Sequence, residues 1–322
     1  MPLHAWSSAH YVIPLPDGHR FPIAKYALVR DALLDAGIVT AETLHDPPRA
    51  TPDQLARVHT TDYVRALADG TLSSAALRRL GFPWSPALVE RSLRAVGGTI
   101  AAAHHALQHG VAMNLAGGTH HAFADRGEGF CVFNDVAVAI HDLRARGDAQ
   151  RALVIDLDVH QGNGTHAIFA NDPRVYTFSM HGARNYPFTK VPGSLDLELD
   201  DGTEDDAYLA LLAEALPRVL HAARADVVFY LAGSDTLRGD RFGRLALTLD
   251  GLRRRDTMLF TACADSGTPV VVTMAGGYAA DVGETVQAYV GTGRGGTTET
   301  GGAGGSGVAT ETGGASRGHR GA

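Results

Sequence analysis

Asp158 and His160 lie two residues apart in Asp156-Leu-Asp-Val-His-Gln-Gly-Asn-Gly-Thr165, so on an extended backbone their side chains share one face. A carboxylate beside an imidazole is half of a divalent-metal site, and Asp156 shares the same parity. Asp235, in Ala232-Gly-Ser-Asp235, supplies a third ligand and leaves a fourth position for water, whose pKa a metal such as zinc lowers to about 7. Two carboxylates and one imidazole suit Zn2+ and also Fe2+, so both metals stand. The competing reading of each aspartate is a helix cap. His120-His121, on the Gly117-Gly-Thr turn, is a tandem imidazole pair fitted for a general base and a general acid. Each ring needs a partner on its other nitrogen, and Asp156 and Asn163 are the natural candidates. An imidazole against an anionic Asp is pushed toward its charged form and one against a neutral Asn is not, so the two titrate apart. Tyr278, after Gly276-Gly277, offers a phenol to the oxygen that becomes negative in a tetrahedral intermediate; otherwise it is a core tyrosine. Phe130 and Tyr186 either wall an apolar channel or belong to the core.

These residues sit where apolar strand-like runs stop. The runs are 111–116, 151–157, 175–179, 227–231 and 270–274, rich in β-branched residues. Helical patterns fall between them over 86–109, 133–146, 204–222 and 249–265. Thr165 or Asn163 is placed to cap a helix starting near His166. Thr203-x-x-Asp206 resembles a capping box, with Asp205 suited to a first turn. A weaker edge strand is expected at His10–Pro14. Strand-helix alternation implies a single α/β domain whose mainly parallel sheet, about eight strands, carries helices on both faces. In such a sheet ligands bind at the carboxyl edge, and five loops bearing Gly and a reactive side chain leave that edge.

Composition sets the frame. A chain of 322 residues with 45% apolar content can bury a sizeable core. Without a run near the roughly 20 apolar residues of a membrane span, without a basic-then-apolar leader, and with Cys131 and Cys263 as its two cysteines, it is expected to be a cytoplasmic protein with no membrane partner. Net charge is −7, and because residues 291–322 hold three Arg and two Glu, residues 1–290 carry −8. That balance argues against nucleic acid as a partner, since phosphate contacts need clustered Lys and Arg. Residues 291–322 contain 13 of the 38 glycines and read as a Gly/Thr-rich disordered tail following a domain at 1–290.

Taken together, GGTHHA at 117–122, GFCVFNDVAVA at 129–139, DLDVHQGNGT at 156–165, AGSD at 232–235 and AGGY at 275–278 resemble the histone deacetylase family of the arginase/deacetylase fold. The match is ordered and covers about residues 4–290. GTEDDAYL at 202–209 and the Gly-Asp-Arg-x-Gly element within 232–256 are similar to the class IV branch and its bacterial relatives. The resemblance implies that Asp158, His160 and Asp235 bind zinc. It makes His121, paired with Asn163, the general base on the metal's water, and His120, paired with Asp156, the mostly protonated partner. Tyr278 would polarise the scissile carbonyl, and Gly129, Phe130, Tyr186, Gly276 and Gly277 would form the acyl-lysine channel. A structural potassium ion would involve Asp156, Asp158, His160, Ser179 and Met180. Two positions depart from class I enzymes: Asn163 stands where those have Asp, and Lys25 where they have Arg. No histone-recognition element is evident.

The expected activity is therefore zinc-dependent hydrolysis of the amide between an acyl group, acetyl or longer, and a lysine side chain of a protein or peptide. A second enzymatic reading keeps the fold and takes acylated polyamines or another small-molecule amide. A binuclear manganese site would need more carboxylates than these motifs hold. A binding protein that recognises acyl-lysine without turnover is the reading from another class; the full set of ligands, histidines and tyrosine speaks against it.

Overall fold

A computed structural model of the chain describes residues 2–300. Its strands are β1 (Ala5–Trp6), β2 (Leu44–His45), β3 (Val111–Asn114), β4 (Ala152–Asp156), β5 (Val175–Gly182), β6 (Leu195–Leu199), β7 (Val227–Leu231) and β8 (Val270–Thr273). They form one eight-stranded sheet in the order β2-β1-β3-β8-β7-β4-β5-β6, with every pairing parallel. The helices are α1 (Lys25–Asp35), α2 (Pro52–Leu55), α3 (Thr61–Ala68), α4 (Ser74–Leu80), α5 (Pro86–His109), α6 (Asp135–Arg146), α7 (Asn163–Phe169), α8 (Asp205–Ala223), α9 (Leu249–Asp265) and α10 (Val282–Thr300). α5 packs on α6, while α1, α10, α9 and α8 form a row; β3 touches both α5 and α10, so the sheet is covered on its two faces.

Burial on both faces explains the unbroken apolar character of the central strands. Val227 to Leu231 are all fully buried, and each such side chain contributes about 1.5–3 kcal/mol on leaving water. The helix boundaries follow their caps. Ser85 accepts from the Leu88 amide ahead of Pro86, and α5 stops at Gly110, whose φ of 92° suits a residue without Cβ. Thr248 caps α9 in the same way. Among the described residues no helix is long and apolar enough to cross a membrane.

Several boundaries differ from the expected ones. His10–Pro14 is not a strand; the N-terminal strands are the two-residue β1 and β2, too short to leave a periodic signal. The helix expected near His166 begins at Asn163 with Gly162 as its cap, because the Thr165 hydroxyl is engaged by the Asn134 amide instead. The capping box at Thr203 does not form: its hydroxyl donates to the Asp200 carbonyl, and Glu204 precedes the helix without a side-chain cap. Asp205 does occupy the first turn. The boundary placed at residue 290 falls inside α10, where Thr292 is buried and Gly293 and Gly295 lie against Leu33 and Phe260. Those glycines let α10 approach α1 and α9 closely. The rest of the expected tail, 301–322, lies outside the described residues.

Candidate active site

β3, β8, β7 and β4 are consecutive neighbours, and strands sit about 4.8 Å apart. The loops leaving their carboxyl ends therefore emerge side by side, carrying His120 and His121, Tyr278, Asp235, and Asp158 with His160. These loops surround a cavity of about 600 Å³ bordered by His120, His121, Asp158, His160 and Tyr278.

At its floor, ligand atoms of Asp158, His160 and Asp235 all lie within 4.8 Å of one another. Each aspartate is aimed by an amide from elsewhere: Gly276 N–H donates to Asp158 Oδ2 at 2.7 Å and Val159 N–H to Asp235 Oδ1 at 2.9 Å. His160 Nδ1 is 2.9 Å from Asp158 Oδ1 and 3.2 Å from Asp235 Oδ2, yet Asp235 Oδ2 is buried without a hydrogen bond of good geometry. Gly276 is obligatory here, since a Cβ would sit 1.9 Å from Asp235 Oδ2 and 2.6 Å from Asp158 Oδ2. Electrostatics point the same way. Burial and the Asp158 carboxylate raise Asp235 to about 7. Burial works against the charged form of His160, but hydrogen bonds to Asp158 and Asp235 outweigh it and lift the ring to about 10. Two crowded carboxylates, an aligned imidazole and an unsatisfied carboxylate oxygen fit a divalent ion.

The paired imidazoles stand beside this cluster with ring centroids 4.1 Å apart. His120 Nδ1 lies 2.6 Å from Asp156 Oδ2, and His121 Nδ1 lies 2.7 Å from Asn163 Oδ1. Burial depresses both. In His120 the carboxylates of Asp156 and Asp158 overcome it, and the pKa rises to about 9. In His121 burial is reinforced by the charges of His120 and His160, and the pKa falls well below that of a free imidazole. The two environments thus push the paired rings in opposite directions, His120 toward its charged form and His121 toward its neutral one.

Tyr278 closes the site from the side of β8. Its amide donates to Asp240 Oδ2 at 2.6 Å and its ring packs edge-on against Phe242 at 4.8 Å. Lys25, fully buried, donates to the carbonyls of Ala275 and Gly277 at 3.3 Å each and lies 5.1 Å from the Tyr278 ring centroid. Gly129, Phe130, Tyr186 and Gly276 border the cavity with it. Gly277 does not: its Cβ position is taken by Ser234 Oγ at 2.2 Å, so it serves the turn behind the wall. Phe130 holds a φ of 67°, costly for a bulky residue. It is pinned by its amide's bond to Leu80 O at 2.8 Å. Ser179 and Met180 lie on β5, where Asp156 and Ser179 are register partners and the Ser179 hydroxyl meets His181 Nδ1 at 2.9 Å.

Four residues of the site were not singled out by type or spacing. Asp135 fixes the imidazole turn by accepting from the Gly118 and Thr119 amides at 3.1 and 2.8 Å. Asp240 gathers the amides of Tyr278, Phe242 and Gly243, and Phe242 borders the cavity beside Tyr278. The only signal for Asp240 was its place in the Gly-Asp-Arg-x-Gly element. The fourth is Arg255, buried in α9. Its guanidinium donates to Gly233 O at 2.7 Å and Leu157 O at 3.4 Å, tying the strand ends that carry Asp235 and Asp158. Its Nε pairs with Asp256, which also accepts from the Tyr230 and Thr292 hydroxyls at 2.5 Å each. Arg255→Ala is expected to cost about 3–5 kcal/mol of unfolding free energy, because it strands a buried carboxylate. Denaturant titration checks this, and a loss below 1 kcal/mol would contradict it.

The fold and these side chains define a hydrolase of the deacetylase type. Residues 19–292 match the histone deacetylase domain, and the chain belongs to the histone deacetylase family. It is 48% identical to an uncharacterized protein of Picosynechococcus sp. over 86% of this chain and 92% of that one. It is 35% identical to histone deacetylase 2 of Arabidopsis thaliana over 81% of this chain and 70% of the relative. A crystal structure of an HDAC homolog from Aquifex aeolicus shares the fold, with a TM-score of 0.79, 24% identity, and coverage of 94% of this chain and 84% of that one.

Proposed function

We propose that this chain removes acyl groups from lysine side chains of proteins or peptides, using a divalent metal, zinc in the first instance, held by Asp158, His160 and Asp235. The observation that carries the reading is the convergence of that triad with two oppositely charged imidazole environments and a phenol on one cavity. Bound there, the metal supplies a Lewis acid and an acidified water. His121, neutral and oriented by Asn163, accepts a proton at Nε2. His120, kept cationic by Asp156, holds the proton that the leaving amine needs. Tyr278 donates its hydroxyl hydrogen to the scissile carbonyl oxygen as charge develops on it. Phe130 and Tyr186 clasp the lysine methylenes and exclude water, and Asp156 beside Ser179 supports a potassium ion behind the site.

Removal of metal by a strong chelator, verified by elemental analysis, is expected to bring turnover of an acetyl-lysine peptide to background. Restoring Zn2+ or Fe2+ should return it, and the comparison ranks the two metals at this site. Undiminished turnover by verified metal-free protein would overturn the assignment.

A further inference from the structure

Five arginines, Arg20, Arg79, Arg184, Arg241 and Arg244, border the cavity, while Asp158 at its floor is the one acidic residue among the described residues that does so. The concentration is not compositional, because the chain carries a net charge of −7. It comes from four separate places: the segment before α1, helix α4, the turn after β5, and the stretch between β7 and α9. All five side chains are exposed, so they ring the mouth rather than line the depth. Asp201 is shared by Arg244 at 3.2 Å and Arg184 at 3.7 Å. Arg241 reaches the Ala280 carbonyl at 3.4 Å, and Arg20 lies 5.8 Å from the Phe242 ring centroid. Among the described residues, no carboxylate lies within ion-pair distance of Arg20, Arg79 or Arg241.

We propose that this mouth selects acyl-lysines embedded in acidic polypeptide segments; the inference rests on the deacylase reading above. The depth of the cavity places the charges. An extended lysine side chain reaches the floor between the uncharged walls of Phe130, Tyr186 and Phe242, leaving the peptide backbone and its neighbouring residues at the rim. Guanidinium groups there meet flanking carboxylates in fork geometry, which a planar Arg matches better than a Lys. An anionic group on the acyl chain would instead sit deep, among aromatic rings and out of reach of the arginines. A cationic substrate such as a polyamine would meet a rim of its own sign. Three guanidinium groups at one rim, without a carboxylate partner among the described residues, raise the encounter rate of their complement and suppress like-charged partners.

The test compares acetyl-lysine peptides flanked by two Glu on each side with the same peptides flanked by Lys or by Ala. Each is measured for kcat/KM and, through a fluorescent label, for Kd by anisotropy. Glu-flanked peptides are expected to lead Lys-flanked ones by about tenfold or more at low salt, the sum of several exposed charge pairs. The ratio should decay toward one at 1 M salt, where the Debye length is about 3 Å. The triple variant Arg20→Glu/Arg79→Glu/Arg241→Glu should remove or invert the preference. If that protein does not fold, the salt series on the native chain still decides the matter. Equal kcat/KM and equal Kd across the peptides, or a preference for Lys flanks, overturns the inference while leaving the deacylase reading intact. Absence of turnover on every amide sinks that reading instead, and the anisotropy preference is then judged alone.

Discussion

Replacing His121 with alanine is expected to lower kcat by 10²–10⁴, the range that a positioned general base contributes. The expectation follows from how the ring is held. Asn163 Oδ1 accepts from Nδ1 at 2.7 Å, which leaves the lone pair of Nε2 as the free basic site. Burial, then the charge of His120, holds its pKa well below that of a free imidazole, so the ring is neutral and able to accept a proton in the neutral range. The acid limb of the kcat/KM profile should accordingly lie below pH 6.5. Asn163→Asp would move that limb upward, since an anionic partner favours imidazolium. A His121→Ala protein that unfolds normally yet keeps kcat within threefold of the parent would remove the residue from the mechanism.

Tyr278→Phe is the second large effect, a loss of 10²–10³ in kcat with KM little changed, on the scale of deleting one oxyanion donor. Only an oxygen is removed. The ring contacts with Phe242 at 4.8 Å and with Lys25 at 5.1 Å persist, as does the backbone bond to Asp240, so the loop keeps its shape. Burial, with Tyr26 and Asp158 adding to it, pushes the phenol well above its ordinary pKa. It therefore stays protonated as a donor at any working pH. Separate determination of kcat and KM is the check: a rise in KM alone would mean that the hydroxyl binds substrate and does nothing more as charge develops.

Much of the site was legible in the sequence because its chemistry sits in short contiguous motifs at strand ends. The central strands were legible for a related reason: buried on both faces, they read as continuous apolar runs. Elements lacking such redundancy were not. β1 and β2 have two residues each, and no period exists in two residues. β6 is Leu-Asp-Leu-Glu-Leu, an alternation that does mark an edge strand but lies in a polar neighbourhood. Glycine in α10 looked like low complexity, whereas Gly293 and Gly295 supply close helix contact. Arg255 and Asp240 carry charges that local sequence would assign to solvent, and only the tertiary neighbours reveal that both are buried. Lys25 could be noted as unusual, but its partners are 250 and 252 positions away.

That last separation bears on how the protein matures. The lysine that braces the phenol loop lies near one end of the described chain, and the loop near the other, so a growing polypeptide cannot join them until synthesis has passed residue 278. Closing so long a loop costs more entropy than closing a short one, although the cost grows only slowly with length, and contacts of this range slow folding. On the deacylase reading, competence for turnover is thus a late acquisition, because the loop that carries the phenol also supplies the Gly276 amide that aims Asp158.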